Sequence, residues 1–424
     1  MPFLGLLYLV NYLDRVNIGF AAPNGMRTEL ALSATGFGFA AGVFFLGYLL
    51  LEVPSNLALA RFGARRWIAR IMVSWGVIAT AMAFVPNGTT LIVLRFLLGV
   101  AEAGFFPGII LYLTFWFPAA QRARVIALFM VAIPISTAVG ATASSLLIRY
   151  GTGVFGLSGW RFMFLVEGVP ALLLAVMTWF YLTDRPSDAR WLSERERTWL
   201  STTLAAEQAE SRQRHSWSLR KALTHPRIWA FAVVYFGIAY GLYALGFFLQ
   251  TIIAGFQQQY GVTYSVIERG LINAIPYVVG AVAMVWWARH GDRTGERVWH
   301  VALPMVVGGA AIPIALYLGS PLAAMIAVTM CAVGVLAALP TFWALSTSFL
   351  SGAAAVAGIA LINSVGNVGG FAGPYLTGWL TDLTGSQRPG LWLVGLWLVG
   401  GALVCLRSVR NRESGAVSSH AIEN

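Results

Sequence analysis

The stretch Asn11-Tyr12-Leu13-Asp14-Arg15-Val16-Asn17 sets an acid, a base and two amides inside one apolar run, residues 2–22. That run has the length a helix needs to cross a bilayer. An ionised group at mid-membrane costs roughly 2.5–3.5 kcal/mol on insertion scales, so Asp14 and Arg15 require an interior, polar setting. Two readings are open. The two residues form a structural ion pair that fixes helix packing, or they belong to a substrate or proton site lined by other helices.

Of the 424 residues, 58% are hydrophobic and 11% charged, whereas a soluble domain carries about 25% charged residues. The composition specifies an all-α polytopic membrane protein. Its 45 glycines and 16 tryptophans suit close helix packing and interfacial anchoring. A net charge of +11 would suggest a nucleic-acid partner, but the basic residues sit in short loops between apolar spans, which excludes that class. Cys331 and Cys405 fall in apolar segments far apart, so no disulfide framework is expected. The first span lacks a basic n-region, and no cleavable signal is expected.

Apolar runs bounded by Gly, Pro and charge clusters give twelve spans. Six cover 2–22, 35–59, 67–85, 89–116, 125–148 and 160–182; six more cover 228–256, 266–288, 298–318, 321–345, 353–376 and 391–406. The predicted organisation is a six-helix bundle over 1–182, a linker over 183–226, a second six-helix bundle over 227–406 and a tail over 407–424. In the linker, Ser193 with Glu196 three residues on reads as a capping box opening a short surface helix. The linker holds no catalytic constellation.

Basic residues set the orientation. Arg61, Arg65, Arg66, Arg70, Arg122, Arg124, the linker cluster, Arg289, Arg293, Arg297 and Arg407, Arg410 and Arg412 fall on one side. Arg27, Arg149, Arg161, Arg269 and Arg388 fall on the other. The richer side is predicted to be cytoplasmic, which places both termini, the linker and the tail on the cytoplasmic side of a cell's inner (plasma) membrane.

The ionisable residues placed within spans are Asp14, Arg15, Glu52, Arg95, Glu102 and Glu167, all in the first half. The second half offers neutral polar groups, among them Tyr240, Tyr243, Gln250, Asn273, Asn363 and Asn367. At ~1.5 Å per residue, Asp14 lies roughly 18 Å from the cytoplasmic end of its span and Arg95 roughly 9 Å from the outer end of its own. Asp14, Arg15 and Arg95 are thus expected to share a layer, with Glu102 two turns deeper than Arg95 on the same face. A carboxyl among Gly99, Ala101, Ala103 and Gly104 is a candidate proton carrier, while Glu52 and Glu167 read as structural. Arginine suits an anion, because its planar fork binds a carboxylate through two parallel hydrogen bonds.

The halves also echo each other. Arg61-Phe62-Gly63-Ala64-Arg65-Arg66 follows the second span, and Asp292-Arg293-Thr294-Gly295-Glu296-Arg297 follows the eighth. Two six-helix halves with this repeated turn resemble the layout of major facilitator transporters. Gly63, Arg65, Arg66, Asp292, Arg293, Gly295 and Arg297 are then expected to be conformational loop residues. In the first copy the acidic position of the signature is filled by Ala60, while the second keeps Asp292.

From Leu7 to Arg407 the chain resembles one branch of that superfamily, the anion:cation symporters, which includes permeases for tartrate, phthalate, hydroxyphenylacetate and sugar acids. The resemblance rests on 11–18, on Glu52-Val53-Pro54-Ser55-Asn56 and on 95–107, which runs from Arg95 through Glu102 to Pro107. Trp116-Phe117-Pro118, Asp184-Arg185-Pro186 and Asn363-Ser364-Val365-Gly366-Asn367 extend it. It implies the major facilitator fold and proton-coupled uptake of a small carboxylate by alternating access. It puts the proton-coupling acids at Asp14 and Glu102 and the substrate arginine at Arg15. It matches Tyr48, Trp343 and Asn363 to the family's binding residues; Arg95 and Asn367 complete the substrate set expected here.

The expected partners are a small organic anion and membrane lipid, with no nucleic acid, and the chain is read as a monomer. No cofactor, metal or catalytic residue is expected; the proton is the coupling ion. Competing readings are a proton-coupled exporter of amphipathic compounds and a carboxylate sensor that does not transport. A membrane enzyme is disfavoured, since the spans offer no metal-ligand cluster.

Overall fold

The computed structural model describes residues 2–213, 224–349 and 353–410. Helices form all of its regular structure among the described residues. This follows from the medium, because backbone groups inside a hydrocarbon layer must be satisfied within the segment itself. Ten of the helical stretches are long and apolar enough to cross a bilayer. The two other expected spans are also helical: the first is α1 (Pro2–Val16) continued by α2 (Ile18–Ala21), and the eleventh lies in a helix over Ala353–Thr384.

After α2 and a short α3 (Met26–Glu29) come α4 (Ala34–Phe62), α5 (Ala64–Ala81), α6 (Gly88–Glu102) and α7 (Phe105–Thr114). Then follow α8 (Ala119–Met130), α9 (Ala132–Gly151), α10 (Gly159–Tyr181) and the linker helix α11 (Glu194–Gln213). The linker capping box forms: Ser193 N–H donates to Glu196 Oε2 at 3.0 Å, and Glu196 N–H donates back to Ser193 Oγ at 3.3 Å. The second set is α12 (Pro226–Tyr260), α13 (Val266–Thr294), α14 (Val298–Ala315), α15 (Pro321–Phe349), α16 (Ala353–Thr384) and α17 (Arg388–Arg410). The tail predicted over 407–424 lies outside the described residues from 411 onward, as does 214–223 of the linker.

Two compact units result, one comprising Met1–Leu32 with Val43–His215, the other Ser33–Gly42 with Ser216–Asn424. In the first, α5 packs along α10, and α1 packs against α9 and α10. Within it α4 and α6 touch backbone to backbone: a side chain at Gly47 would collide with the Phe96 carbonyl, and one at Gly99 with that of Phe44. Small residues allow such approach where no water drives helices together. In the second unit α12 packs on α16 and α17, and α14 on α15 and α17. Its short piece 33–42, the start of α4, is capped by Asp382, which accepts the N–H groups of Ala34 at 3.0 Å and Thr35 at 2.7 Å.

Candidate functional site

One helix break shapes the interior of the first unit. The first span carries on through Asn17, which keeps helical dihedrals (φ −59°, ψ −26°) with its N–H on the Leu13 carbonyl at 2.9 Å. The fourth breaks directly after Glu102: Ala103 is extended (φ −53°, ψ 129°) and Gly104 is left-handed (φ 83°, ψ 0°) before α7 begins. Gly104 is required twice over, because that backbone conformation favours glycine and a Cβ there would lie 2.6 Å from Ser55 Cβ. Pro107 sits in the first turn of α7, where a missing N–H costs nothing. Discontinuous helices of this kind are where membrane transporters expose polar backbone and side chains to a site.

Glu102 thus ends a helix with its side chain buried against α1. Its Oε2 accepts hydrogen bonds from Asn11 Nδ2 at 2.8 Å and Arg15 Nη2 at 3.0 Å. Asn11 and Arg15 are one turn apart, so both reach the same carboxylate. Glu102 Oε1 has no hydrogen-bond partner among the described residues. The Arg15 guanidinium lies over the rings of Phe44 at 5.0 Å and Tyr48 at 5.3 Å. Arg95, wholly buried, approaches Phe44 from 5.3 Å and donates from Nη2 to the Arg15 carbonyl at 3.1 Å. One aromatic ring is therefore shared by two guanidinium groups, an arrangement that favours cations through the ring quadrupole.

Asp14 faces another way. Its Oδ2 accepts from Trp75 Nε1 at 2.7 Å and its Oδ1 from Asn17 Nδ2 at 3.4 Å. Asn17 also donates to Glu167 Oε2 at 3.1 Å, and Ser144 Oγ donates to Glu167 Oε1 at 2.6 Å. Of the two open readings, the site reading gains these contacts: Arg15 pairs with Glu102, and Asp14 accepts from Trp75. Consecutive residues on a helix point about 100° apart, so Asp14 and Arg15 face different neighbours. The carboxyl groups of Asp14, Glu52, Glu102 and Glu167 and the guanidinium groups of Arg15 and Arg95 are all buried in the first unit.

Asp14, Arg15, Tyr48, Arg95 and Glu102 are all buried within the first unit. Arg95 braces the α1 backbone. Trp343, Asn363 and Asn367 belong to the second unit, each half-buried. The Trp343 indole packs 4.9 Å from the Tyr235 ring, and its Nε1 has no hydrogen-bond partner among the described residues. Asn363 and Asn367 lie one turn apart on α16. Sequence reasoning missed Asn11, Phe44 and Trp75. Asn11 carried a usable signal, an amide four residues before Arg15; Phe44 and Trp75 carried none.

The loop residues are placed as follows. Gly63 separates α4 from α5 with φ 90°. Asp184 accepts the Arg65 N–H at 2.8 Å, and both its carboxylate oxygens lie 3.0 Å from where a Gly63 Cβ would be. A carboxylate at the first turn of α5 complements the exposed N–H groups there. Arg66 is exposed. In the second copy Asp292 and Arg293 are exposed, Gly295 caps α13 in the left-handed conformation (φ 68°), and Arg297 donates to the Ala344 carbonyl at 3.3 Å. Beside this turn His300, inside the ninth span, meets His290 with ring nitrogens 2.8 Å apart.

A helix broken beside the buried Arg15–Glu102 ion pair, inside a bundle of membrane-length helices, fits a polytopic transporter. A family model of the Major Facilitator Superfamily matches residues 4–374, and the chain belongs to that superfamily. It is 52% identical over 394 residues to an Agrobacterium vitis protein named "Putative tartrate transporter", covering 93% of this chain and 86% of that one. It is 38% identical over 394 residues to a quinolone resistance transporter of Acinetobacter baumannii, covering 93% and 89%. Among solved structures, a bacterial homologue of the human lysosomal transporter Spinster superposes with a TM-score of 0.76 over 96% of each chain at 18% identity, a likeness of fold. The chain is a multi-pass membrane transporter of the major facilitator fold and not an enzyme.

Proposed function

We propose that this transporter imports a small organic carboxylate together with protons across the inner membrane by alternating access, with both termini and the linker cytoplasmic. The observation that carries the reading is the buried contact between Arg15 and Glu102. A substrate carboxylate and the Glu102 carboxylate compete for one guanidinium. Protonation of Glu102 removes its charge, weakens its hold on Arg15, and leaves the planar fork for the substrate. Release of substrate on the inner side lets Arg15 re-pair as Glu102 gives up its proton. Proton and substrate are coupled through their different affinities for the two states, which is the only route by which coupling arises.

Asp14 is proposed as a second proton carrier, linked through Asn17 to Glu167. Tyr48 and Arg95 frame Arg15, while Trp343, Asn363 and Asn367 are proposed as the neutral substrate contacts of the second unit. The tartrate-named relative supports a small hydroxylated acid as substrate. The test is uptake of labelled tartrate into proteoliposomes with and without an inward proton gradient. Accumulation only with the gradient supports symport. Accumulation that ignores the gradient counts against proton coupling.

The Acinetobacter relative favours a second reading, proton-coupled export of amphipathic compounds. The same vesicles discriminate the two: gradient-driven movement of a quinolone with no response to tartrate would select export. A sensor that does not transport would bind tartrate and move neither compound. For orientation, cysteines at the exposed positions Arg388 and Thr202 should be labelled from outside and from inside, respectively.

A further inference from the structure

The outward surface of the first unit carries a groove of about 460 Å³ where α5 and α10 run side by side. Arg66, Arg70 and Val73 line it from α5 at helical spacing, and Val176, Trp179 and Phe180 line it from α10. The two arginines stand at one end, beside the basic turn at Gly63. The remaining wall is apolar and open: Val73 is 48% exposed, Val176 57% and Phe180 80%. The one hydroxyl in the lining, Ser74 Oγ, is spent on the Arg70 and Ile71 carbonyls of its own helix. The groove wall is therefore almost wholly apolar.

Neither Arg66 nor Arg70 makes an ion pair with a protein carboxylate among the described residues. The Arg70 guanidinium instead lies 4.0 Å from the Trp67 ring centroid. An apolar channel on a membrane-facing surface, headed by two cations at the end of its helices, complements an amphiphile with an anionic head. We infer that this groove binds one anionic glycerophospholipid, its phosphate on Arg66 and Arg70 and one acyl chain along Val73 and Val176. Basic pockets between helices at the membrane surface hold such headgroups, and each arginine contributes Coulombic attraction that falls off within a Debye length. A zwitterionic lipid offers the same phosphate but brings an ammonium against two guanidinium groups. Assigning the site to the cytoplasmic leaflet rests on the proposed orientation; the lipid chemistry does not.

Native mass spectrometry of the purified full-length protein with equimolar phosphatidylglycerol and phosphatidylethanolamine tests this without any transport step, so failure of the import reading leaves it intact. The protein should retain phosphatidylglycerol over phosphatidylethanolamine by roughly tenfold. R66Q/R70Q should remove that preference, and R66K/R70K, which keeps the charge, should restore most of it. V73W leaves both arginines in place and fills the groove, so it should lower retention of both lipids. Millimolar inorganic phosphate should displace nothing. Undiminished preference in R66Q/R70Q, unchanged retention in V73W, or displacement by inorganic phosphate would each overturn the assignment, the last in favour of a soluble-anion site.

Discussion

The Arg15 guanidinium stands 3.0 Å from the Glu102 carboxylate, at the residue where α6 stops being helical. Both side chains are nearly inaccessible, at 6% and 0% exposure. A pair so buried contributes little net stability compared with an apolar alternative, yet breaking it leaves an uncompensated charge. In the proposed mechanism a proton on Glu102 is what releases Arg15.

Glu102→Gln should abolish proton-driven accumulation of tartrate in proteoliposomes while leaving tartrate exchange measurable. Gln keeps the shape of the neutral carboxyl and cannot titrate. Gradient-driven accumulation at the parental level in this variant would remove Glu102 from the coupling role.

Trp75→Phe should lower thermal stability, because the buried Asp14 carboxyl loses the indole donor at 2.7 Å. The expected cost is about 1–3 kcal/mol, read from the melting transition of purified protein. In an Asp14→Asn background the same change should cost less, since the two side chains are coupled. Equal costs in both backgrounds would show that Trp75 acts through packing alone.

Asp184→Ala should destabilise the first unit by about 0.5–2 kcal/mol, the usual range for a lost helix N-terminal acceptor. Asp184→Asn, which keeps an acceptor for the Arg65 N–H, should fall between the two. Denaturation of the purified protein measures both, and an unchanged Asp184→Ala protein would refute the capping role.

Glu29 lies outside the spans and accepts from Arg161 Nε at 2.7 Å, Trp160 Nε1 at 2.6 Å and Ser158 Oγ at 2.9 Å. Desolvation opposes ionisation there, but these donors prevail and hold its carboxyl below the ordinary carboxylate value. A depressed value means the stabilising contribution is fully present above the ordinary value and is lost as pH falls through the folded one. Glu29→Gln should therefore melt lower than the parent at pH 7, by a small margin given the partial exposure, and the two should converge as pH drops below about 4. A constant gap across that range would show that ionisation of Glu29 contributes nothing.

The helical bundle was legible because hydrophobic runs of bilayer length leave few alternatives and the charges between them are confined to loops. The site was legible only in part. Burying ionisable groups is costly, so Asp14, Arg15, Arg95 and Glu102 stood out by type and place. Their pairing did not, since Arg15 and Glu102 are 87 residues apart and packing alone decides that they meet. Gly104 and Pro107 hinted at the break after Glu102, but an isolated Gly three residues before a Pro is common in continuous spans. Asp184 was read as part of a linker motif, and nothing local pointed it at the Gly63 turn. The Trp75 donor was indistinguishable from the many tryptophans that pack or anchor.

The most direct measurement is tartrate affinity in Arg15→Lys, by titration calorimetry on purified protein beside the parent. Lysine keeps the positive charge and can still pair with Glu102, so a purely structural ion pair should tolerate it. It lacks the planar two-bond grip, and one lost charge-assisted hydrogen bond costs about 1.5–3 kcal/mol, roughly a ten- to hundredfold loss of affinity. That loss is expected together with normal expression and melting temperature. Tartrate bound by Arg15→Lys as tightly as by the parent would contradict it.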